Sequence, residues 1–303
     1  MLYRVIEIYD ENKYLSLDRG FLQIQQGNAI LGKIPIDEIG TLLLTAQGVT
    51  VTKNVLNALS ENGCITILCG KNYAPENIVV PIGQHYHFAK IVKTQINTTQ
   101  PLKKRIWQQI IINKIKNQSI CLKMHNKIKE SKQLEIYSTQ VKSGDTENKE
   151  AQAAKIYFKA LFGTDFIRDK NSDGINSLLN YGYAIIRSAM ARAVCSAGLI
   201  PSLGLHHDNY LNSFCLVDDF LEIYRPIVDT IVYELYKNNI QELTPKVKKI
   251  LIDSIWVKIE TKKGTSPIFQ SMQYMVSSYV KSLEEKKSEI EIPIWKGNVI
   301  EEN

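Results

Sequence analysis

The stretch Gln100 to Cys121, Q-P-L-K-K-R-I-W-Q-Q-I-I-I-N-K-I-K-N-Q-S-I-C, is where the chain changes its period. Leu102, Ile106 and Ile110 recur there at helical spacing, and the same period returns at Ala154, Tyr157, Phe158 and Leu161 in a helix that stops at Gly163. Upstream the period is two. Tyr3 to Tyr9 alternates polar and apolar residues, and Tyr14 to Leu17 and Phe21 to Gln25 flank the turn Asp18-Arg19-Gly20. Gly27-Asn28 turns the chain again before Ala29 to Gly32. These read as short antiparallel strands. Ile39 to Leu44 is a continuous apolar strand, Thr52 to Asn62 a helix opened by a capping threonine and closed at Gly63, and Cys64 to Cys69 a further strand.

Downstream of Gln100 the helices continue. Ile175 to Val194 is long and apolar on one side, and Ser266-Pro267 supplies an N-cap and a first-turn proline ahead of Ile268, Met272, Met275 and Tyr279. The fold class is therefore α+β. A β-sandwich-like domain over 1–85 and a linker over 86–99 precede a larger all-α domain over 100–285, the candidate catalytic domain. A charged tail over 286–303 follows, with an apolar island at Ile292 to Trp295, and is expected to be disordered.

Composition narrows the class. Of 303 residues 44% are hydrophobic and 22% charged, as in an ordinary globular enzyme, so wholesale disorder is excluded. No apolar run approaches a membrane span and Met1 to Asp10 lacks the pattern of a signal peptide, which gives a cytoplasmic, membrane-free expectation. Five cysteines without a C-x-x-C pair read as core thiols. The net charge of +6 is unevenly spread. Lys90 to Lys142 carries twelve basic and two acidic residues, a surplus of +10, while the remainder is −4. Lys103, Lys104, Arg105, Lys114 and Lys116 lie in this run, which reads either as the footprint of a phosphate-backbone binder or as a solvated lysine face.

Gly204 to Pro226 reads G-L-H-H-D-N-Y-L-N-S-F-C-L-V-D-D-F-L-E-I-Y-R-P. On a helix Asp218 and Asp219 each share a face with Glu222, and like charges so placed are compensated by a cation, either Arg225 or a divalent metal, unless the three acids and Arg225 simply form a solvated face. At most one of the adjacent His206 and His207 can join them. Glu150 lies four residues before Ala154 on a buried stripe, where it either sits in the first turn facing the helix dipole or serves as a ligand. With His207 and Glu222 it makes two carboxylates and an imidazole from three segments, a set suited to magnesium or manganese.

Four ordered motifs carry a resemblance: N-K-E-A-Q-A-A-K-I-Y-F-K-A-L-F-G at Asn148 to Gly163, N-S-L-L-N-Y-G-Y-A-I-I at Asn176 to Ile186, G-L-H-H-D-N at Gly204 to Asn209, and D-F-L-E-I-Y-R-P at Asp219 to Pro226. In order and spacing the chain resembles the CRISPR adaptation integrase, the first-numbered of the CRISPR-associated proteins, and most closely its type II members. The resemblance implies a metal-dependent DNA endonuclease and integrase that inserts short foreign fragments into a CRISPR array. It places the Mg2+ or Mn2+ ligands on Glu150, His207 and Glu222, with Asp219 as a supporting acid. It further implies double-stranded DNA as substrate, a homodimer, the small second-numbered CRISPR-associated protein as partner and the type II RNA-guided nuclease as an associate. Ile223 and Tyr224 replace a proline and a phenylalanine common in the family's last motif, and neither position supplies a ligand. Two other readings stand beside this one. One takes His207-Asp208 as the dyad of a helical phosphohydrolase, with His125 and Asp229 as further ligands; the other is a DNA-binding protein without catalysis.

Overall fold

The period-two stretches become the strands β1 (Arg4–Ile8), β2 (Lys13–Asp18), β3 (Phe21–Gln26) and β4 (Ala29–Pro35), followed by β5 (Ile39–Leu44), β6 (Val49–Val51), helix α1 (Lys53–Glu61), β7 (Ile65–Cys69) and β8 (Pro75–Val79). The computed structural model describes residues 4–70, 75–79, 87–169 and 172–299. The chain divides into two units, Met1–Phe88 and Ala89–Asn303; the expected boundary at residue 85 lies outside the described residues.

In the first unit two four-stranded sheets, ordered β4-β3-β2-β6 and β1-β5-β7-β8, share one core of Ile8, Leu15, Leu22, Ile39 and Leu42, closed by Val55 and Leu59 of α1. The turns at Gly20 and Gly27 make β2, β3 and β4 antiparallel, as expected. β1, however, pairs parallel with β5, and β5 parallel with β7. All six residues of β5 are buried, so this strand lies between neighbours and between layers, the setting in which a continuous apolar run is stable. Thr52 occupies the N-cap of α1, but its side chain makes no capping bond.

The second unit contains α2 (Phe88–Ile96), α3 (Gln100–Met124), α4 (Ile128–Thr139), α5 (Lys149–Phe162), α6 (Ile175–Ser196), α7 (Cys215–Leu221), α8 (Arg225–Lys237), α9 (Pro245–Ile252) and α10 (Ile268–Glu285). Helix α2 occupies most of the segment expected as a linker. It belongs to this unit because Ile91 and Gln95 face inward, and the Gln95 amide donates to the Ile200 and Leu203 carbonyls and accepts from Ile200 N. The centre is α6, packed against α7, α8, α9 and α10. Gly182 permits the approach of α8, since a Cβ there would stand 2.5 Å from Val228 Cγ1.

The all-α expectation is corrected in one place. β9 (Lys258–Thr261) and β10 (Gly264–Pro267) form a hairpin, so Ser266 and Pro267 end a strand and α10 begins at Ile268. The tail is also ordered through residue 299. Ile294 pairs with Glu260 of β9 through backbone bonds of 2.8 and 3.0 Å, and Trp295 is 1% exposed. An aromatic island buries enough apolar surface to fix a short charged segment that has no period of its own. Among the described residues no helix is long and apolar enough to cross a membrane.

Candidate active site

Glu222 lies where α7 gives way to α8. Pro226, in the first turn of α8, has no N–H to continue the ladder. Tyr224 N and Ile227 N make three-residue bonds across the break, and the Ile223 carbonyl accepts instead from Asn117 Nδ2 of α3 at 2.7 Å. The break is thus pinned to α3, and Glu222 projects inward at 7% side-chain exposure.

Glu150 is placed by a separate device. Asp145 accepts from Lys149 N and Glu150 N, both at 2.9 Å, and so caps the start of α5 with a carboxylate. Glu150 is left in the first turn, 22% exposed.

Between these two carboxylates stands Lys114 of α3, with Nζ 2.6 Å from Glu150 Oε1 and 2.5 Å from Glu222 Oε2. Its expected place on an exposed basic surface is corrected: Lys114 is 8% exposed, because it continues the inward stripe of Trp107, Ile110 and Ile111. Arg225 Nε approaches Glu222 Oε1 at 3.1 Å, and its guanidinium also lies over the Tyr183 ring. Burial opposes ionisation of both Lys114 and Glu222, but the opposite charges win. Lys114 titrates above its ordinary value because of Glu222 and Glu150, and Glu222 below its own because of Arg225 and Lys114.

His207 is held by Asp219. That side chain is fully buried and accepts from Leu205 N at 2.6 Å, His206 N at 3.1 Å, His207 N at 3.3 Å and His207 Nδ1 at 2.6 Å. The loop can wrap the carboxylate only because residue 204 is glycine, where a Cβ would stand 2.3 Å from His207 O and 3.0 Å from Asp219 Oδ2. The Asp219 hydrogen bond, against burial, raises the His207 pKa, and Asp219, Glu222 and Glu150 add to the shift through their charge. With Nδ1 committed to Asp219, Nε2 is the ring nitrogen available to a ligand.

The two adjacent histidines do point differently. His206 stacks flat on Trp107, with ring centroids 4.5 Å apart, while His207 meets the same indole edge-on. Asp218, grouped in sequence with Asp219 and Glu222, turns away to a two-point contact with Arg187 at 2.6 and 2.7 Å. Arg187 and Trp107 went unnoticed in the sequence, Trp107 because its position reads only as core.

The phosphohydrolase set does not assemble. Both oxygens of Asp229 are taken by the hydroxyls of Tyr157 and Tyr183, and His125 Nδ1 lies 3.2 Å from Glu234. Among the described residues no three His, Cys, Asp or Glu side chains stand close enough together to hold a metal ion. Of the proposed DNA contacts, Lys104, Arg105 and Lys116 are exposed, and Lys103 is half-buried and donates to Gly204 O. Arg105 also lines a cleft of about 610 Å³ with Lys90, Lys93, Lys286 and the turn between α2 and α3.

The family model for CRISPR associated protein Cas1 matches residues 6–263. The chain belongs to the Cas1 family. A Cas1 relative from Neisseria meningitidis serogroup C, named a CRISPR-associated endonuclease, is 37% identical over 290 residues, spanning 95% of this chain and 94% of the relative. Two solved structures share the Cas1-type fold. A casposase bound to integration product has a TM-score of 0.78 at 16% identity, covering 94% of this chain and 92% of that one. A Cas6-RT-Cas1–Cas2 complex gives 0.77 at 18% identity, covering 95% of this chain and 35% of that one.

Proposed function

We propose that this Cas1-family chain is a metal-dependent DNA endonuclease and integrase that inserts short DNA fragments into a CRISPR array. The observation that carries the reading is that the inward face of α3 meets Glu150 and Glu222 at Lys114 and, at Trp107, a His207 ring oriented by buried Asp219, with both glutamates near enough for their charge to act on His207. The donors suit a hard divalent ion. Two carboxylates and one imidazole nitrogen are the mixture that Mg2+ or Mn2+ accepts, and the Asp219 contact matches the outer-shell support of a metal-bound histidine. Glu150, His207 and Glu222 would hold the ion, which when bound lowers the pKa of an attacking hydroxyl and neutralises charge on the phosphoryl oxygens.

The chain's own residues do the rest by position. Asp219 fixes the His207 tautomer with the proton on Nδ1, the Asn117 contact fixes Glu222, and Asp145 fixes Glu150, so the acceptor atoms are oriented before substrate arrives. The reaction is a transesterification: a DNA 3′-hydroxyl gives up its proton to solvent as its oxygen bonds to phosphorus, the bond from phosphorus to the target strand's 3′-oxygen breaks, and that oxygen takes up a proton. No covalent protein intermediate is needed. The cations of the α2–α3 cleft are suited to hold the strand backbone. Two insertions at opposite ends of a repeat need two copies of the site, which supports a homodimer joined by the small second CRISPR-associated protein, in keeping with the structural neighbour being a Cas1–Cas2 complex. A type II setting beside an RNA-guided nuclease, and a cytoplasmic location, complete the proposal.

The test supplies the protein, its small partner, Mg2+ or Mn2+ and a short duplex to repeat-containing DNA. A duplex with free 3′-hydroxyls should become covalently joined, and one ending in 2′,3′-dideoxynucleotides should bind without joining. Joining of the blocked duplex, or hydrolysis products alone, would refute strand transfer.

A further inference from the structure

Lys114 is a full charge at 8% exposure, yet its ammonium contacts two carboxylates, one from the first turn of α5 and one from the break between α7 and α8. Arg225 adds a second cation to Glu222. With the buried Asp219 beside a neutral His207 counted, three negative charges face two positive ones, a net of −1 before any metal. A divalent ion reverses this to a net positive surplus, which is costly at low dielectric. One cation must then give way. Arg225 is held by a second contact, its guanidinium lying over the Tyr183 ring 4.8 Å away, whereas among the described residues the ammonium of Lys114 is engaged by Glu150 and Glu222 alone.

We infer that Lys114 is the resident counter-ion of the Glu150–Glu222 pair: it holds the two carboxylates together in the metal-free protein and competes with the divalent ion for the same oxygens. The inference rests on the metal-dependent function proposed for this site. It also explains why the two acids and His207 do not by themselves form a closed ligand cluster among the described residues, since an ammonium stands between the two acids. Lys114 is thus a positioning residue. The site stays assembled when no metal is bound, and metal affinity is weakened in exchange.

The experiment compares the wild type with Lys114→Met, Lys114→Arg and the double variant Lys114→Met/Glu150→Gln, following Mn2+ binding by titration calorimetry and melting temperature in EDTA and in Mn2+. Methionine keeps the stem and removes the competitor. Lys114→Met should bind Mn2+ at least about tenfold more tightly, because unit charges at contact distance interact by more than the tenfold equivalent even at a surface-like dielectric. In EDTA it should melt about 10 °C lower, as expected when one partner of a buried ion pair is removed in a domain of this size. Mn2+ should restore most of that loss. Lys114→Arg, which keeps the charge, should stay near wild type in EDTA. The double variant, which restores the wild-type net charge, should recover EDTA stability even if Lys114→Met alone fails to fold. Wild-type Mn2+ binding that is not tightened in Lys114→Met overturns the inference and leaves the metal site standing. No Mn2+ binding by the wild type or by a folded Lys114→Met overturns the metal reading, and the competition with it.

Discussion

Asp219→Asn changes one atom in a fully buried side chain that serves four N–H groups, and the geometry limits how the variant can respond. Oδ2 accepts from Leu205 N and His206 N, and Oδ1 from His207 N and His207 Nδ1. An amide nitrogen can replace only one oxygen and cannot accept. If it faces Leu205 and His206, two buried N–H groups lose their acceptor. If it faces His207, the backbone N–H is orphaned and the ring must accept at Nδ1, which moves its proton to Nε2 and removes the lone pair a ligand would use. At about 1–3 kcal/mol per unsatisfied group the first outcome costs about 2–6 kcal/mol and the second about 1–3 kcal/mol, in either case at least about 2 °C in melting temperature for a domain of this size.

Metal affinity should fall about 10–100-fold, the usual cost of losing an outer-shell partner of a ligating histidine. NMR titration of His207 in EDTA supplies an independent reading. Because Asp219 holds its pKa above the ordinary 6.5, the proton's contribution to stability is complete below pH 6.5 and is lost as pH rises through the raised value. In Asp219→Asn the His207 titration should move down. A variant that melts within about 1 °C of wild type, less than even one unsatisfied N–H group should cost, with His207 titrating unchanged, would refute the assignment of Asp219 as the group that holds the loop and the ring.

Glu150→Ala, His207→Ala and Glu222→Ala should each abolish Mn2+-dependent strand transfer in a gel assay, whereas His206→Ala should cost only the Trp107 stack, about 0.5–1.5 kcal/mol by thermal melting. Glu222→Ala should also melt below Glu150→Ala, since it leaves both Lys114 and Arg225 without their shared partner. Replacing Lys93, Arg105 and Lys286 by glutamine should flatten the slope of log affinity for duplex DNA against log salt by up to about 2.7, at about 0.9 per lost phosphate contact; an unchanged slope would place the DNA track elsewhere. Burial raises the Asp229 pKa to about 6 despite its two tyrosine donors. Its protonated form is therefore favoured by folding, and ionisation between pH 4 and 6 should cost about 3 kcal/mol of stability, a pH dependence that Asp229→Asn should remove in denaturant melts.

The class of fold was legible in the chain because it depends on local period. Alternation before Gly32 and the 3.6-residue repeat after Gln100 report how one face of each element is buried, and both survive in the structure as β1 to β4 and the long helices. The candidate ligands were legible for a similar reason: Glu150 on an apolar stripe and Glu222 beside Arg225 are chemically conspicuous wherever the chain goes. Partner choice was not local. Whether β1 pairs with β5 or with β2, whether Lys114 faces solvent or the two acids, and whether Asp218 or Asp219 holds the histidine depend on tertiary contacts, several of them between residues far apart in the chain, which no window of sequence contains. Lys114 is the clearest case. By composition it is one lysine among twelve basic residues in a run, and only the turn of α3 that places it beside Trp107 and Ile111 makes it a buried charge; a buried charge takes its meaning from its partners, and those are supplied by the tertiary fold alone.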